Sequence, residues 1–437
     1  MDRNRKTAYE VLLQIEKHGA YSNLELNRRI QEDRPDAPAL VRELVYGVLE
    51  HKLYLDHLLS QLIPKGLSGV KKPVKVLLRM GLYQIIFMDS VPEYAAVSET
   101  VQLAKKVAAG RAGFVNGVLR GYGRQKERLT LPDQKQAPIE YLSVRYSCDP
   151  WIVGLWAQQY GLEKTESLLA AGNRRPELSV RVNLLRTSRQ ALAERLGDKG
   201  FSVRECEENR RVLFVRGSGL LETEAYAEGW FSVQDAASAA AAEALGPKPG
   251  ETVYDICAAP GGKTLAMAEM MENKGTIKAF DIYPHKLELI EKEAARLGID
   301  IIETAEKDGT EACRSLDQTA DRVLVDGPCS GLGVIRRKPE IKYKAVEDQG
   351  RSLAEKQLRL LREASRYVKP GGYLLYSTCT VNRIENEQVA EAFLAECDAF
   401  RLDRMLQLFP DDGEHDGFFI CRMRRTAGKG DMNGSRL

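Results

Sequence analysis

The feature that most constrains this chain is a rhythm that begins at about Val233. Short β-branched runs, ETVYDIC, TIKAFDI, IDIIETAEK, DRVLVDG and GGYLLYSTC, alternate with helical stretches such as HKLELIEKEAARLG. Strands that alternate with helices over this length predict a mostly parallel, doubly wound sheet covered on both faces. In such a sheet, ligands bind beyond the carboxyl ends of the strands, where the strand order reverses. The residues at those five strand ends are therefore the first candidates for chemistry.

The first strand runs into CAAPGGKT, which holds Cys257, Ala258, Ala259, Pro260, Gly261, Gly262 and Lys263. Paired glycines let backbone N–H groups approach a ligand just before a helix begins, although the same turn also serves a plain strand-to-helix connection. The second strand ends at Asp281, 19 residues beyond Gly262, where an acid accepts hydrogen bonds from both hydroxyls of a ribose. Asp308 follows the third strand and is placed to hold an adenine amino group. Each acid alone serves equally well as a helix N-cap. Together with CAAPGGK they describe a site for a nucleoside-bearing cofactor. No G-x-x-x-x-G-K-[ST] occurs, and CAAPGGK does not match G-x-G-x-x-G. A cofactor without phosphates is indicated, and S-adenosylmethionine is one.

The fourth strand delivers Asp326 and, in DGPCSG, Cys329; the fifth delivers Cys379 in YSTCT. Two thiols thus arrive at neighbouring strand ends. Cysteine is among the most buried residue types, so packing is the competing explanation, but both thiols sit in turn-forming, polar settings. The eight cysteines are scattered, with no C-x-x-C pair and no histidine cluster, so neither a metal nor a disulfide framework is expected. A Cys329–Cys379 bridge is geometrically allowed, but a reducing cytosol argues against it as a permanent feature.

The first 125 residues read as helices: Ala8, Val11, Leu12 and Ile15 recur at helical spacing, as do Leu40, Val41, Leu44, Val45 and Val48. The division expected is an all-helical domain over 1–128, a proline-marked linker over 129–145, a small α/β module over 146–232, a catalytic α/β domain over 233–425 and a disordered tail over 426–437. Charge is uneven. Residues 1–140 carry 22 Lys and Arg against 16 Asp and Glu, an excess of 6 where the whole chain has only 2. Such asymmetry suits a polyanionic partner or a solvated basic face. The charged N-terminus and the lack of any 18-residue apolar run indicate a soluble, cytoplasmic protein with no membrane association.

CAAPGGK, DGPCSG and YSTCT, in this order, resemble the motifs of the RNA 5-methylcytosine methyltransferases of the Sun/Fmu family, the NOP2/NSUN type. The run ending in GFVNGVLR resembles the NusB-like helical domain of bacterial members that act on small-subunit ribosomal RNA. The resemblance spans nearly the whole chain. It implies an α-helical NusB-like domain, an RRM-like α/β extension and a Rossmann-like catalytic domain. It further implies S-adenosylmethionine as cofactor and 16S rRNA as partner, with transfer of methyl to cytosine C5. The family assigns the attack on cytosine C6 to the cysteine of the TC motif, here Cys379, and product release to that of the PC motif, here Cys329. Asp326 contacts the cytosine edge. A free thiol is only a few per cent ionised at neutral pH, so Cys379 needs a nearby cation, and family geometry offers Lys263. Asn386 and Glu387 resemble a supporting element, and Asp235 occupies a family-like position with no derivable role.

For RNA, the run GVIRRKPEIKYK after the PC motif offers Arg336, Arg337, Lys338, Lys342 and Lys344, with Tyr343 among them. Beside a catalytic loop these are expected to meet phosphates, though a solvated charge run has the same composition. Arg181 and Asn183 resemble part of the RNA-binding extension. Two other classes compete: a DNA cytosine-5 methyltransferase, which does not need the TC cysteine or a NusB-like domain, and a catalytically silent RNA-binding assembly factor. A monomer is the default.

Overall fold

The computed structural model describes residues 2–344 and 349–426. It separates into two compact units, Met1–Arg174 with Ile335–Ala345, and Arg175–Val334 with Val346–Leu437. The expected tail over 426–437 lies, beyond Thr426, outside the described residues.

The first unit is helical, as the apolar spacing predicts. Ala8, Val11, Leu12 and Ile15 from the helix Arg3–His18 pack with Val41, Leu44, Val45 and Val48 from Pro38–Glu50 and with Leu77, Leu78 and Leu82 from Lys72–Phe87. The expected linker over 129–145 is shorter than the prolines indicate. Pro138 opens the helix Pro138–Tyr146 at its first turn, where a missing N–H costs nothing. That helix and the next two, Pro150–Tyr160 and Leu162–Gly172, lie in this compact unit.

Residues Ile335–Ala345 also belong here, which corrects the phosphate-contact reading for much of GVIRRKPEIKYK. Glu340 accepts hydrogen bonds from Ser22 N and Oγ. Lys342, 1% exposed, donates to the carbonyls of Glu50 and Tyr146 and to Asn173 Oδ1. Tyr343 Oη lies 2.7 and 2.9 Å from the carbonyls of Leu49 and Ser147. Arg336 is only 9% exposed; Arg337 is half-buried, Lys338 is exposed, and the side chain of Lys344 lies outside the described residues. Lys342 and Tyr343 are thereby spent on anchoring this run within the helical unit, and Arg336 is buried.

Burial lowers the Lys342 ammonium to about 8 from its ordinary 10.5. Between those values the unfolded chain binds the proton and the folded chain does not, so stability attributable to this group rises with pH. Measured against Lys342→Met by urea unfolding, the wild type is expected to gain up to about 3 kcal/mol between pH 8 and pH 10. A pH-independent difference contradicts the burial of this group.

The second unit holds two sheets. The smaller is antiparallel: β1 (Leu178–Val182), β2 (Ser202–Glu205), β3 (Val212–Arg216) and β4 (Phe231–Val233), in the order β2-β3-β1-β4. The larger contains β5 (Thr252–Ile256), β6 (Thr276–Asp281), β7 (Ile302–Glu306), β8 (Ala320–Asp326), β9 (Val368–Thr378), β10 (Phe400–Leu408) and β11 (Phe418–Arg425), in the order β10-β11-β9-β8-β5-β6-β7. Strands β5 to β9 are parallel to one another, with β10 and β11 as an antiparallel extension. The expected doubly wound sheet is present.

Period-2 alternation divides its core. Tyr254, Ile256, Val323 and Val325 face the helices Gln349–Tyr367 and Glu387–Glu396, while Val253 and Leu324 face Ala236–Leu245, Gly262–Met270 and Pro284–Leu297. The chain runs outward from β5 to β7 and returns to β8 on the other side of β5. The order therefore reverses between β5 and β8, and the crevice opens at their carboxyl ends.

Candidate active site

At the end of β5 the chain turns sharply. Cys257 has φ +65° and Gly261 has φ +102°. A Cβ on Gly261 would lie 2.9 Å from Ile290 Cγ1, so that position takes only glycine. The helix Gly262–Met270 begins at once. Asp281, at the end of β6, accepts one hydrogen bond on each oxygen, from Ala259 N and Tyr283 N, both at 3.1 Å. An ionised carboxylate has about four acceptor positions, so two remain for a pair of ribose hydroxyls. Asp308 accepts bonds from Thr310 Oγ1 and N, both on Oδ1, and these bonds hold it below the usual carboxylate range. Gly309 brings this loop against β5, since a Cβ there would lie 2.6 Å from Ile256 Cγ2.

The charge of this site bears on the choice of cofactor. Lys263 is turned away from the glycine turn and donates to Asp326 Oδ2 at 2.6 Å, with the Phe418 ring 4.9 Å from its Nζ. Around the turn stand the carboxyls of Asp255, Asp281 and Asp308, with Lys356 near enough to act on Cys257 and Asp308. Asp255, 1% exposed on β5, accepts from Thr264 Oγ1, and its buried Oδ1 has no hydrogen-bond partner among the described residues. Burial pushes its carboxyl up to about 7. A nucleoside joined to a sulfonium and an ammonium suits these carboxyls. The residues fit S-adenosylmethionine.

The second half of the site is built where β8 meets β9. Asp326 pairs in register with Ser377, whose hydroxyl donates to Asp326 Oδ1 at 2.9 Å, and Gly327 N donates to Ser377 O. Lys263 and Ser377 thus fix the carboxylate from two sides. Just beyond, Cys329 Sγ and Cys379 Sγ lie 3.3 Å apart. The hydrogen bond with Cys379, burial and the charges of Glu385 and Asp326 push the Cys329 thiol well above its ordinary range. For Lys263, burial favours the neutral amine, but attraction to Asp326 and then to Cys379 outweighs it and leaves the ammonium stabilised.

Three buried residues hold the loops that carry the thiols. Glu385, fully buried, accepts from Ser330 N and Oγ, immediately after Cys329, and from Asn382 Nδ2. Gln357 donates to Pro328 O, immediately before it. Asn386 accepts from Thr378 Oγ1 and donates to Thr380 O, so it brackets Cys379. The supporting element expected at Asn386 and Glu387 is therefore Glu385 and Asn386; Glu387 is a half-buried residue of the next helix. Asp235 acquires a role as the N-cap of Ala236–Leu245, accepting from Ala237 N and Asp416 N. Asp255, Gln357 and Glu385 were not legible as site residues.

The placement of Arg181 and Asn183 in an RNA-binding surface is overturned. Arg181 is 1% exposed and forms a two-pronged ion pair with Glu269 at 3.0 and 2.8 Å, while its other nitrogen donates to Gly262 O and Gln234 Oε1. It ties β1 to the helix that begins at the glycine turn. Asn183 is fully buried and donates to the carbonyls of Gly229 and Leu297. Among the described residues no helix is long and apolar enough to cross a membrane, and no group of His, Cys, Asp or Glu is arranged to hold a metal ion.

The doubly wound sheet is Rossmann-like, and the matches to known proteins make its class that of a methyltransferase. Residues 242–424 match the family model described as 16S rRNA methyltransferase RsmB/F, residues 2–124 match the NusB family, and residues 149–219 match the ferredoxin-like domain of RsmF/B-like methyltransferases. The chain is 39% identical to the probable ribosomal RNA small subunit methyltransferase B of Bacillus subtilis, covering 96% of this chain and 98% of that one. Against the ribosomal RNA small subunit methyltransferase B of Sodalis glossinidius it is 35% identical over 88% and 89% of the two chains. Among solved structures, a methyltransferase homolog protein from Pyrococcus horikoshii superposes with a TM-score of 0.60 at 28% identity, covering 66% of this chain and 99% of that one. The chain belongs to the ribosomal RNA small subunit methyltransferase B family, and S-adenosylmethionine is its methyl donor.

Proposed function

We propose that this rRNA methyltransferase acts on C5 of a cytosine in 16S rRNA through a covalent bond from Cys379 to C6. The observation that carries the reading is the contact of two thiols beside a fixed carboxylate at adjacent parallel strand ends. Cytosine C5 is a weak nucleophile until a thiolate adds at C6, so a covalent step is chemically required. When bound, S-adenosylmethionine supplies the electrophilic methyl group.

The residues then divide the work. Lys263 is attracted to Cys379, which sets a cation near the attacking sulfur. Asp326, fixed by Lys263 and Ser377, meets the cytosine edge and keeps the ring oriented. After transfer H5 must leave as a proton before the bond from Cys379 to C6 breaks, and Cys329, in contact with that sulfur, is the group that assists. The cytosine reaches the thiols only from a single strand or flipped out of a duplex, at a cost of about a few kcal/mol.

The test uses an unmodified small-subunit rRNA transcript labelled with tritium at cytosine C5. Methylation and then digestion to nucleosides is expected to give 5-methylcytidine, with one tritium released per methyl transferred. Any other methylated nucleoside, or methylation without tritium release, contradicts the reading.

A further inference from the structure

A cleft in the helical unit has a composition that the methyl-transfer chemistry does not use. The loop between the helices Lys52–Leu62 and Lys72–Phe87, with the start of Ala112–Gln125, walls a cavity of about 440 Å³. Its interior is apolar, formed by Ile63, Val70, Val74 and Phe114, while Lys65, Lys71 and Arg111 line it without any acidic residue. All three cations are exposed. Among the described residues their side chains make no hydrogen bond or ion pair.

Elsewhere in the unit several cations are held by carboxylates. Arg79 is paired with Asp56 and Glu16, Lys52 with Glu16, and Arg28 and Arg29 with Glu25. Around the cleft the unit leaves three unpaired beside apolar surface, which suits a ligand with flat apolar groups inside and negative charges at the edge. Gly66 and Gly69 leave open space where a side chain would stand, so such a ligand also reaches the loop backbone. A single-stranded polynucleotide has this chemistry: bases stack on an aromatic face while phosphates meet Lys and Arg.

We propose that this cleft binds an unpaired nucleotide of the rRNA substrate, its base against Phe114 and its phosphates on Lys65, Lys71 and Arg111. The proposal rests on rRNA as the substrate but not on the thiol chemistry. An acidic peptide shares the charge but does not need the aromatic floor.

The experiment compares the full-length protein with Lys65→Glu/Lys71→Glu/Arg111→Glu, with Phe114→Ala and with Phe114→Tyr. Binding of a fluorescein-labelled single-stranded 12-nucleotide RNA is tracked by anisotropy at several salt concentrations, and KM is measured for the rRNA transcript. The charge-reversed protein is expected to bind at least about ten-fold more weakly, with a salt dependence shallower by about two logarithmic units per unit. Its kcat at saturating RNA should stay within two-fold of wild type. Phe114→Ala should lose about five-fold or more, and Phe114→Tyr should restore binding because the ring face returns. Unchanged binding in the charge-reversed protein overturns the proposal and leaves the cleft to an acidic peptide. A loss with the charges but none with Phe114→Ala also overturns it, because diffuse attraction then suffices. Absence of 5-methylcytidine from the wild-type reaction sinks the cytosine reading alone, since the anisotropy does not depend on methyl transfer.

Discussion

Arg181→Met is expected to destabilise the α/β unit by about 3–5 kcal/mol in urea unfolding, because it strands the Glu269 carboxylate in the interior. Both partners are almost wholly buried, at 1% and 0% side-chain exposure, and the guanidinium meets both carboxylate oxygens. A charge left alone at such a depth loses its compensation and keeps its desolvation cost. Replacing both residues, as Arg181→Met/Glu269→Leu, should recover most of the stability. It should not recover the bond from Arg181 to Gly262 O, so the double variant is expected to bind S-adenosylmethionine more weakly than wild type in calorimetric titration. A loss below 1 kcal/mol in the single variant contradicts the buried pair.

Cys379→Ala is expected to reduce methyl transfer by about 10⁴-fold or more, the scale seen when a catalytic nucleophile is removed. Cofactor affinity should not change, because the glycine turn, Asp281 and Asp308 are untouched. The separation of the two effects is the informative part. A variant that binds S-adenosylmethionine normally and retains methyl transfer within ten-fold of wild type would show that the TC thiol is not the nucleophile.

The catalytic sheet was legible because its strands announce themselves by their period and by the turn residues at their carboxyl ends. Val253, Tyr254, Asp255 and Ile256 alternate across the sheet, and the glycine pair, Asp281, Asp326 and the two cysteines all stand where a strand finishes. What failed was any reading that treated a cation as free. Arg181 looked available for RNA because its partner, Glu269, lies 88 residues further along. Lys342 looked available because its partners include backbone carbonyls, which leave no mark in a sequence. The same limit hid Glu385: next to Asn386 and Glu387, only the fold tells which acid turns inward to Ser330. Pro138 misled for a different reason, since a proline that ends one helix also starts another.

The measurement that bears most directly on the two-thiol account is a denaturing gel of protein mixed with S-adenosylmethionine and small-subunit rRNA, run for Cys329→Ala and Cys379→Ala side by side. The account predicts a stable protein–RNA adduct in Cys329→Ala alone, because Cys379 attacks and the group that assists release is missing. An adduct that accumulates only in Cys379→Ala contradicts it and makes the thiol of DGPCSG the nucleophile.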